Sequence, residues 1–341
     1  MGIRYLNRFL KDNASDAIKF ISIAELSGKK IAIDISIYMY KYASDNNLIE
    51  NIYLMLSVFR YYNVIPIFIF DGKPPPEKKE LLLKRREDKK ESEEEYNNLK
   101  NILHNNSNMD ETEKQDLINN MDMLKRKFVH ISKKDIENIK NLIRFYGATY
   151  YDASGEADEL CALLAVKGKV WACLSEDMDM FVYGCPRVIR YLSLLNHTVV
   201  LYDMKNILEI LGISQKELRE ICILSGTDYN SFNSEIRNTP TLYTTLKYFK
   251  KYHKEKISEL RNIKLNGENC ENEFYIWLIN KSEYIKDYDL LLKIYDIFDL
   301  KRNQTNNKIL ENIKIANGPI QKNEIYNILK NDGFIFPLCS I

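Results

Sequence analysis

Short apolar runs that end in an acidic residue recur in the first half of the sequence, and they constrain its fold more than any other feature. KKIAID ends at Asp34, VIPIFIFD ends at Asp71, and KVWACLSED ends at Asp177. Continuous runs of Ile, Val and Phe are typical of strands that a parallel sheet buries on both faces. Because the carboxyl ends of parallel strands lie at one sheet edge, where ligands bind, these acids are expected to meet there.

The segments between these runs have helical composition, so the sequence predicts an α/β fold with a twisted, mostly parallel sheet flanked by helices. Strands are predicted at 29–35, 64–70, 148–151, 169–175 and 199–202. Helices are predicted at 3–12, 36–44, 48–62, 133–146, 156–167 and 204–211. Gly147 and Gly168 stand where helix C-caps are expected.

A charged segment at 73–129 interrupts this alternation. It opens with three prolines, and nine basic and eight acidic residues lie between Lys73 and Lys100. Such a run is by itself typical of a solvated helix, and here it predicts a long helical insertion. Strand patterns are lacking after position 208. We therefore divide the chain into a core at 1–208, which contains the insertion, and a helical region at 209–341.

Composition narrows the classes of function. The net charge is +1, so attraction for nucleic acid has to come from local basic clusters. No apolar run reaches the roughly 18 residues that span a bilayer, and the first residues lack the apolar core of a signal peptide. The six cysteines form no C-x-x-C pair and indicate reduced thiols. A non-secreted protein, nuclear or cytoplasmic and without a membrane partner, is expected. No P-loop is present, so ATP hydrolysis is not expected.

Seven acids, most of which follow apolar strand-like runs, define a candidate metal site. They are Asp34, Asp71, Glu156, Asp158, Asp177, Asp179 and Asp228. Each acid alone has a simpler role as a helix cap or a partner of a helix dipole. Together they would raise one another's pKa unless a cation neutralised them, and Mg²⁺ prefers oxygen ligands. The set therefore predicts metal-dependent chemistry on phosphate, with two divalent ions that activate water and stabilise the leaving oxygen.

The ordered motifs MGI, IAIDIS, FDGKPPP, GEADELCA, SEDMD and LSGTDYN resemble those of the XPG-type flap endonucleases, which are structure-specific 5′ nucleases related to PIN domains. The resemblance covers roughly residues 1–235. It implies the α/β fold above, with a helical arch in the charged insertion and a helical region that binds duplex DNA. It also implies two Mg²⁺ or Mn²⁺ ions held by the seven acids.

The resemblance implies roles for residues outside the acidic set. Lys78 and Arg85, seven positions apart on one face of a predicted helix, match the basic pair that reaches the scissile phosphate in the family. Tyr40 matches the aromatic residue that stacks on the nucleotide beside the scissile bond. Gly2 matches the second residue of the family, which lies near the DNA. Two further candidate phosphate contacts are Lys133 and Arg190.

The function implied by the resemblance is cleavage of DNA 5′ flaps, with 5′→3′ exonuclease activity, in replication, repair or recombination. The expected partner is branched or nicked duplex DNA with a 5′ single strand, bound by a monomer. About 55 residues in the insertion favour flaps and 5′ ends over Holliday junctions. Two alternatives stay open. One is a catalytically weak scaffold of the same fold that binds DNA structures, and the other is an RNA-directed nuclease of the PIN type.

Two departures from the family affect what the chain is expected to bind. Where the family has a glycine-rich helix-hairpin-helix, this sequence reads SFNSEIRNTPTLYTTLKYF, without a glycine. Those glycines admit duplex phosphate and a K⁺ ion, so K⁺ lacks support here. The duplex is then held more weakly, or by Lys247, Lys250 and Lys251. No clear sliding-clamp motif is present, which indicates a compact member without the clamp-binding tail. The Asn- and Lys-rich composition also fits a viral replication site.

Overall fold

The computed structural model describes residues 2–105, 111–230, 241–262, 273–300, 310 and 313–335. Within these ranges seven strands form one sheet in the order β1-β7-β6-β5-β2-β3-β4. The strands are β1 Ile18–Ser22, β2 Lys30–Asp34, β3 Ile65–Phe70, β4 Thr149–Asp152, β5 Ala172–Leu174, β6 Arg187–Ser193 and β7 Thr198–Asp203. The five strands from β6 to β4 run parallel, and β7 is antiparallel to β6 and β1. The predicted α/β fold with a mostly parallel sheet is confirmed.

Helices cover both faces of this sheet. In the core they are α1 Leu6–Asn13, α2 Ile35–Ser44, α3 Leu48–Tyr61, α4 Lys79–Asn105, α5 Glu111–Lys125, α6 Lys133–Phe145, α7 Ala157–Val166, α8 Asp179–Tyr183 and α9 Met204–Leu211. Further along the chain they are α10 Gln215–Ser225, α11 Leu242–Asn262, α12 Glu273–Lys281, α13 Tyr288–Phe298 and α14 Lys322–Asn331. No helix in the described part of the chain is both long and apolar enough to cross a membrane.

The central strands are buried on both faces because their side chains alternate between two hydrophobic clusters. Ile31 and Ile33 of β2 belong to the cluster formed with α2, α3 and α6. Ala32 of β2 and Ile67 of β3 belong to the cluster formed with α1, α7 and α10. All four side chains are almost fully buried. This two-sided burial explains why the strands read as continuous apolar runs and fixes the sheet edge at which they end.

The sequence predicted five of the seven strands, with shifts of up to three residues at their ends. It missed β6, whose Arg187 and Arg190 interrupt the apolar pattern, and β1, an edge strand whose Lys19 and Phe20 are exposed. Their antiparallel pairing through β7 extends the sheet on the side away from β4.

The charged insertion contains two helices, α4 and α5. After the 3₁₀ turn Pro76–Lys78, α4 continues for 27 residues. At about 1.5 Å per residue this helix is roughly 40 Å long. Tyr96 of α4 packs edge-on against Phe128, with ring centroids 5.4 Å apart. Lys89 donates to the carbonyl oxygen of Val129 at 3.4 Å. These contacts join α4 to the segment that follows α5.

Candidate active site

The parallel strands β3, β2 and β5 are neighbours, and three acids lie at or just beyond their carboxyl ends. Asp34 ends β2, Asp71 follows β3, and Asp177 lies three residues beyond β5. Asp34 pairs in register with Ile69, two residues before Asp71, and Ser175 hydrogen-bonds to both Asp34 and the backbone of Asp177. The strand ends therefore bring these acids together.

Helix starts bring three more acids to the same edge, and Asp228 follows the end of α10. Glu156 precedes α7, whose first turn carries Asp158, and Asp179 begins α8. Asp71 accepts a hydrogen bond from the backbone N–H of Ala157 at 2.9 Å. Asp71 therefore ties the end of β3 to the start of α7. Helix α8 is tied in the same way, because the Asp177 carboxylate accepts from the backbone N–H of Asp179 at 3.0 Å. These bonds hold the loop acids against the strand acids.

The site concentrates negative charge in buried surroundings. The pKa of Asp34 is raised to about 8, mainly by burial and in part by the nearby charges of Asp71 and Asp177. Burial is also the largest cause of the raised pKa of Asp158, Asp177 and Asp179, and neighbouring carboxylates add to it in each case. The carboxylates thus repel one another and resist ionisation unless positive charge is supplied.

The insertion supplies two of these positive charges. Lys78 is 7% exposed, and its Nζ lies 2.8 Å and 2.7 Å from the two carboxylate oxygens of Glu156. Burial opposes the charge of Lys78, but the carboxylates of Asp158 and Glu156 outweigh burial and raise its pKa. Arg85, two turns along α4, donates from Nη2 to Oδ2 of Asp228 at 2.8 Å. The base of the insertion is therefore part of the acidic site.

Several carboxylate oxygens remain unpaired. Among the described residues, Oδ1 of Asp34 and both carboxylate oxygens of Asp179 are buried without a hydrogen-bond partner. Buried charged oxygens are costly unless they are paired or bound to a metal. Oxygen-only donors in a negatively charged pocket suit Mg²⁺ or Mn²⁺. Across the described ranges no three His, Cys, Asp or Glu side chains already converge closely enough to hold one ion. The oxygen donors of these side chains fit divalent ions and would hold them.

Tyr229 is a site residue that sequence reasoning missed. Its hydroxyl donates to Oε2 of Glu156 at 2.7 Å, and its ring centroid lies 4.9 Å from Nζ of Lys78. It is almost fully buried and packs edge-on against Phe298 at 5.6 Å. Tyr229 therefore holds both partners of the Lys78–Glu156 ion pair. Its position directly after Asp228 was the available signal.

Ser175 is a second residue that sequence reasoning missed. Its hydroxyl donates to Oδ2 of Asp34 at 3.2 Å and accepts from the backbone N–H of Asp177 at 3.1 Å. The side chain is fully buried. Ser175 thus joins the end of β2 to the loop after β5. It stands two residues before Asp177, and its burial between two strand ends is visible only in three dimensions.

Gly2 lies against the acids themselves. Its backbone has φ +72°, a left-handed conformation that glycine adopts easily. A Cβ at this position would sit 2.5 Å from Oδ1 of Asp177 and 2.6 Å from Oδ1 of Asp179. No side chain fits there unless the carboxylates move. The predicted role of Gly2 beside DNA stays a prediction, and its place beside two predicted metal ligands is a structural fact.

The other predicted nucleic-acid contacts have different surroundings. Tyr40 is 48% exposed, and Nζ of Lys89 lies 4.8 Å from its ring centroid. Lys133 is exposed at the start of α6. Arg190 is buried, and its guanidinium donates to the backbone carbonyl oxygen of Glu176 at 2.9 Å. It therefore holds the loop that carries Asp177 in this structure. The three predicted contacts with DNA stay predictions.

Comparisons with known proteins match two segments of this chain to one family. The family model for the XPG N-terminal domain matches residues 1–92, and the model for the XPG I-region matches residues 147–228. Flap endonuclease 1 of Xenopus tropicalis is 30% identical over 247 residues, which cover 67% of this chain and 61% of that protein. The chain thus spans about three fifths of the length of this relative.

Two solved structures show the same fold at low sequence identity. The catalytic core of Rad2 in complex with DNA substrate matches with a TM-score of 0.64 at 19% identity, covering 97% of this chain and 95% of that one. Human GEN1 in complex with Holliday junction DNA matches with a TM-score of 0.55 at 18% identity, covering 97% of this chain and 73% of that one.

The two family matches contain all seven acids together with Lys78 and Arg85. Asp34, Asp71, Lys78 and Arg85 fall in the first matched segment, and the remaining five acids fall in the second. Together the matches cover just over half of the chain. The chain therefore belongs to the XPG family of structure-specific nucleases, which hydrolyse phosphodiesters with the help of divalent metal ions.

Proposed function

We propose that this chain cuts DNA at 5′ flaps and also removes nucleotides from 5′ ends. The observation that carries the proposal is the contact of the charged insertion with the acidic site through Lys78–Glu156 and Arg85–Asp228. A single-stranded flap bound by the insertion would therefore be next to the reacting groups. The substrates are branched or nicked duplexes with a 5′ single strand, and the chain acts on them as a monomer.

The metal ligands of the proposed enzyme are the seven acids at the sheet edge. They are Asp34, Asp71, Glu156, Asp158, Asp177, Asp179 and Asp228. Two Mg²⁺ or Mn²⁺ ions bound by them would supply an activated water and stabilise the leaving oxygen. The unpaired oxygens of Asp34 and Asp179 support this assignment, because both side chains are buried without another counter-charge on these atoms.

Lys78 and Arg85 are proposed to bind the scissile phosphate. In the DNA-free chain their charges are paired with Glu156 and Asp228. An entering phosphodiester competes for the same cations, while Glu156 and Asp228 become available as ligands. Arg85 suits a phosphate because its planar guanidinium donates two parallel hydrogen bonds. Lys78 provides a point charge where negative charge develops in the transition state. Tyr40 would stack on the neighbouring base.

The grip on the duplex is proposed to come from α11. Lys247, Lys250 and Lys251 are exposed on this helix, and their contacts with phosphate would be independent of sequence. The stretch that replaces the glycine-rich hairpin begins at 231–240, which lies outside the described residues. Whether K⁺ binds depends on the same stretch.

Replacing both Asp177 and Asp179 with Ala tests the nuclease proposal. Cleavage of a 5′-flap duplex in Mg²⁺ should be abolished, because the substitution removes two carboxylates that share the buried site. Flap binding in Ca²⁺ separates loss of chemistry from loss of folding or recognition. Undiminished cleavage by the double variant would remove the acidic site from the reaction.

The substrate class is tested with the unaltered chain. A panel of double flap, nicked duplex, gapped duplex, bubble and four-way junction in Mg²⁺ should give the fastest cleavage on the flap. Binding of flaps without any product at high enzyme concentration would instead support the scaffold. Faster cleavage of RNA flaps than of DNA flaps would support an RNA-directed nuclease.

A further inference from the structure

A basic pocket lies at the amino edge of the sheet, at the opposite ends of the strands from the acids. The turn before β2, the loop between α7 and β5 and the start of β6 form a cavity of about 420 Å³. This volume falls in the range of roughly 300–1,000 Å³ that is usual for small-ligand sites. We call it the amino-edge pocket, and its characteristic lining residues are Gly28, Lys29, Lys30, Lys169, Trp171 and Arg187.

Positive charge gathers around one aromatic ring in this pocket. Nζ of Lys29 lies 5.5 Å from the ring centroid of Trp171, and Cζ of Arg187 lies 4.9 Å from the same centroid. Lys30 and Lys169 are exposed on the same wall. Like charges repel one another, so an anion bound among these cations would be favourable.

Little negative charge offsets these cations. Arg187 is 3.9 Å from a carboxylate oxygen of Asp203, a long ion pair at the rim. In the part of the chain that the structure describes, no carboxylate lies within ion-pair distance of Lys29, Lys30 or Lys169. The contrast with the acidic site is direct, since Glu156 and Asp228 there already have cationic partners. The amino-edge pocket has the charge for an anion from outside the chain.

The backbone of the pocket is fixed by strand and turn hydrogen bonds. The N–H of Trp171 donates to the carbonyl oxygen of Lys30 at 2.7 Å, which joins two walls of the pocket. The N–H of Gly28 donates to Asn63 at 2.9 Å and closes the turn before β2. A site with an ordered frame loses little freedom when a ligand binds.

We propose that the amino-edge pocket binds phosphate groups of nucleic acid. Lysine ammonium groups bind phosphate as point charges, and Arg187 is able to bind it in a bidentate manner. The partly exposed ring of Trp171 adds an aromatic surface beside the cations, a combination used by proteins that bind single strands. The five residues of β2, at about 3.3 Å per residue, separate this pocket from Asp34 by roughly 13 Å. The pocket is therefore a site separate from the proposed active site.

Trp171 provides a built-in reporter for the test. The chain has two tryptophans, so Trp277→Phe leaves Trp171 as the only one. Its fluorescence is titrated in EDTA with inorganic phosphate, thymidine monophosphate and a single-stranded DNA oligonucleotide. A saturable change is expected with the oligonucleotide, at about tenfold lower affinity when Lys29→Glu and Lys169→Glu are added. The matched control, Lys322→Glu with Lys330→Glu on exposed positions of α14, makes the same charge change and should shift affinity less than about twofold.

Each outcome decides the assignment, and the absence of divalent metal keeps it independent of nuclease activity. Saturation by the oligonucleotide alone supports a nucleic-acid strand. Saturation by phosphate or thymidine monophosphate as well supports a site for single phosphate groups. Equal saturation by polyglutamate would overturn the choice of phosphate, and so would a response that persists in the Lys29/Lys169 variant. If Trp277→Phe fails to fold, the Lys29/Lys169 comparison is made on chains that keep Trp277, by the anisotropy of a labelled oligonucleotide. The slope of log affinity against log salt concentration should then fall by about 1.4, because two phosphate contacts are lost.

Discussion

The two edges of one sheet have opposite chemistry in this protein. Strand β2 begins at Lys30 in the basic amino-edge pocket and ends at Asp34 in the acidic site, only four residues later. At the carboxyl edge, acids from five chain segments lie together, five of the seven are buried, and two of the seven pair with cations of a distant insertion. At the amino edge, exposed cations surround Trp171, and the described residues provide one carboxylate at the rim. The length of β2, roughly 13 Å, thus separates the two charge clusters.

This comparison shows that burial, more than charge count, decides how strongly the groups of a cluster depend on one another. Asp34 is 6% exposed, and its pKa rises to about 8, mainly through burial. Water screens the exposed lysines of the amino edge much more effectively. Substitutions at the carboxyl edge should therefore be strongly coupled, whereas those at the amino edge should be additive and sensitive to salt.

The largest effect is expected when Lys78 is replaced by Ala. This change leaves Glu156 without its cation and removes a positive charge from the proposed scissile phosphate. The single-turnover rate of flap cleavage should fall by about 10²–10³-fold, as for other lost transition-state contacts. The neighbouring Lys79, which is exposed, gives the matched control, and Lys79→Ala should cleave at nearly the original rate. Equal rates for the two variants would show that the Lys78–Glu156 pair has no part in the reaction.

A pair of glycines, one at each edge, sharpens the comparison. Gly2 and Gly28 have φ of +72° and +71°, so Ala at either position has the same backbone strain, about 1–2 kcal/mol. A Cβ at Gly2 would meet the carboxylates of Asp177 and Asp179 at 2.5 Å and 2.6 Å, whereas a Cβ at Gly28 meets nothing within 4 Å.

Gly2→Ala should therefore weaken Mn²⁺ binding, followed by calorimetry in the absence of DNA, and Gly28→Ala should leave it unchanged. The thermal stability of both variants should fall by similar amounts if strain alone sets it. Equal Mn²⁺ affinities would mean that the chain start moves away and that the close approach of Gly2 has no effect on the acids.

A smaller effect is expected from Tyr229→Phe, which removes one hydroxyl and keeps the ring beneath Lys78. A hydrogen bond to a charged group contributes roughly 1.5–3 kcal/mol, so cleavage should slow by at least about tenfold. The Mg²⁺ concentration that gives half-maximal rate should rise, because Glu156 loses a fixed orientation. Tyr275→Phe is the matched control, since its buried hydroxyl donates to the backbone of Glu220 at 2.9 Å, away from the acids. Identical Mg²⁺ dependence in both variants would limit Tyr229 to packing.

The sequence predicted the strands that end in acids because strands buried on both faces have continuous apolar sequences. It did not predict β6, where Arg187 and Arg190 interrupt the apolar pattern because their side chains contact other parts of the fold. Arg187 lines the amino-edge pocket, and Arg190 donates to the carbonyl oxygen of Glu176, directly before Asp177. Polar residues that make contacts elsewhere in the fold interrupt the apolar pattern of a strand, so a rule based on periodicity does not detect it.

For the sites as well, the sequence indicated residue types and spacings, whereas contacts between distant segments were visible only in the structure. Motif order pointed to the acids that the structure brings to one sheet edge. The spacing predicted Lys78 and Arg85 on one helix, whereas Lys78 lies in the 3₁₀ turn before α4 and Arg85 lies in α4. Which acid each cation would pair with was not predictable, since it depends on how α4 leaves the sheet. Ser175 and Tyr229 were missed because their roles arise from hydrogen bonds between segments distant in sequence. The amino-edge pocket was missed because its parts come from three separate turns.

The smallest expected effect, a pH dependence of stability without metal, contrasts the two edges once more. The pKa of Asp34 is about 8 in the folded chain and about 3.9 in an unfolded one, so the folded state holds a proton that the unfolded state releases. Stability in EDTA should therefore fall as the pH rises from about 5 to about 8. Thermal unfolding should show this decline, and saturating Mn²⁺ should reduce it, because a bound cation favours the ionised carboxylates. Asp34→Asn should flatten the decline in EDTA, while Lys29→Glu at the amino edge should leave its slope unchanged. A slope that is unaltered in Asp34→Asn would mean that burial at the carboxyl edge does not govern the titration of this acid.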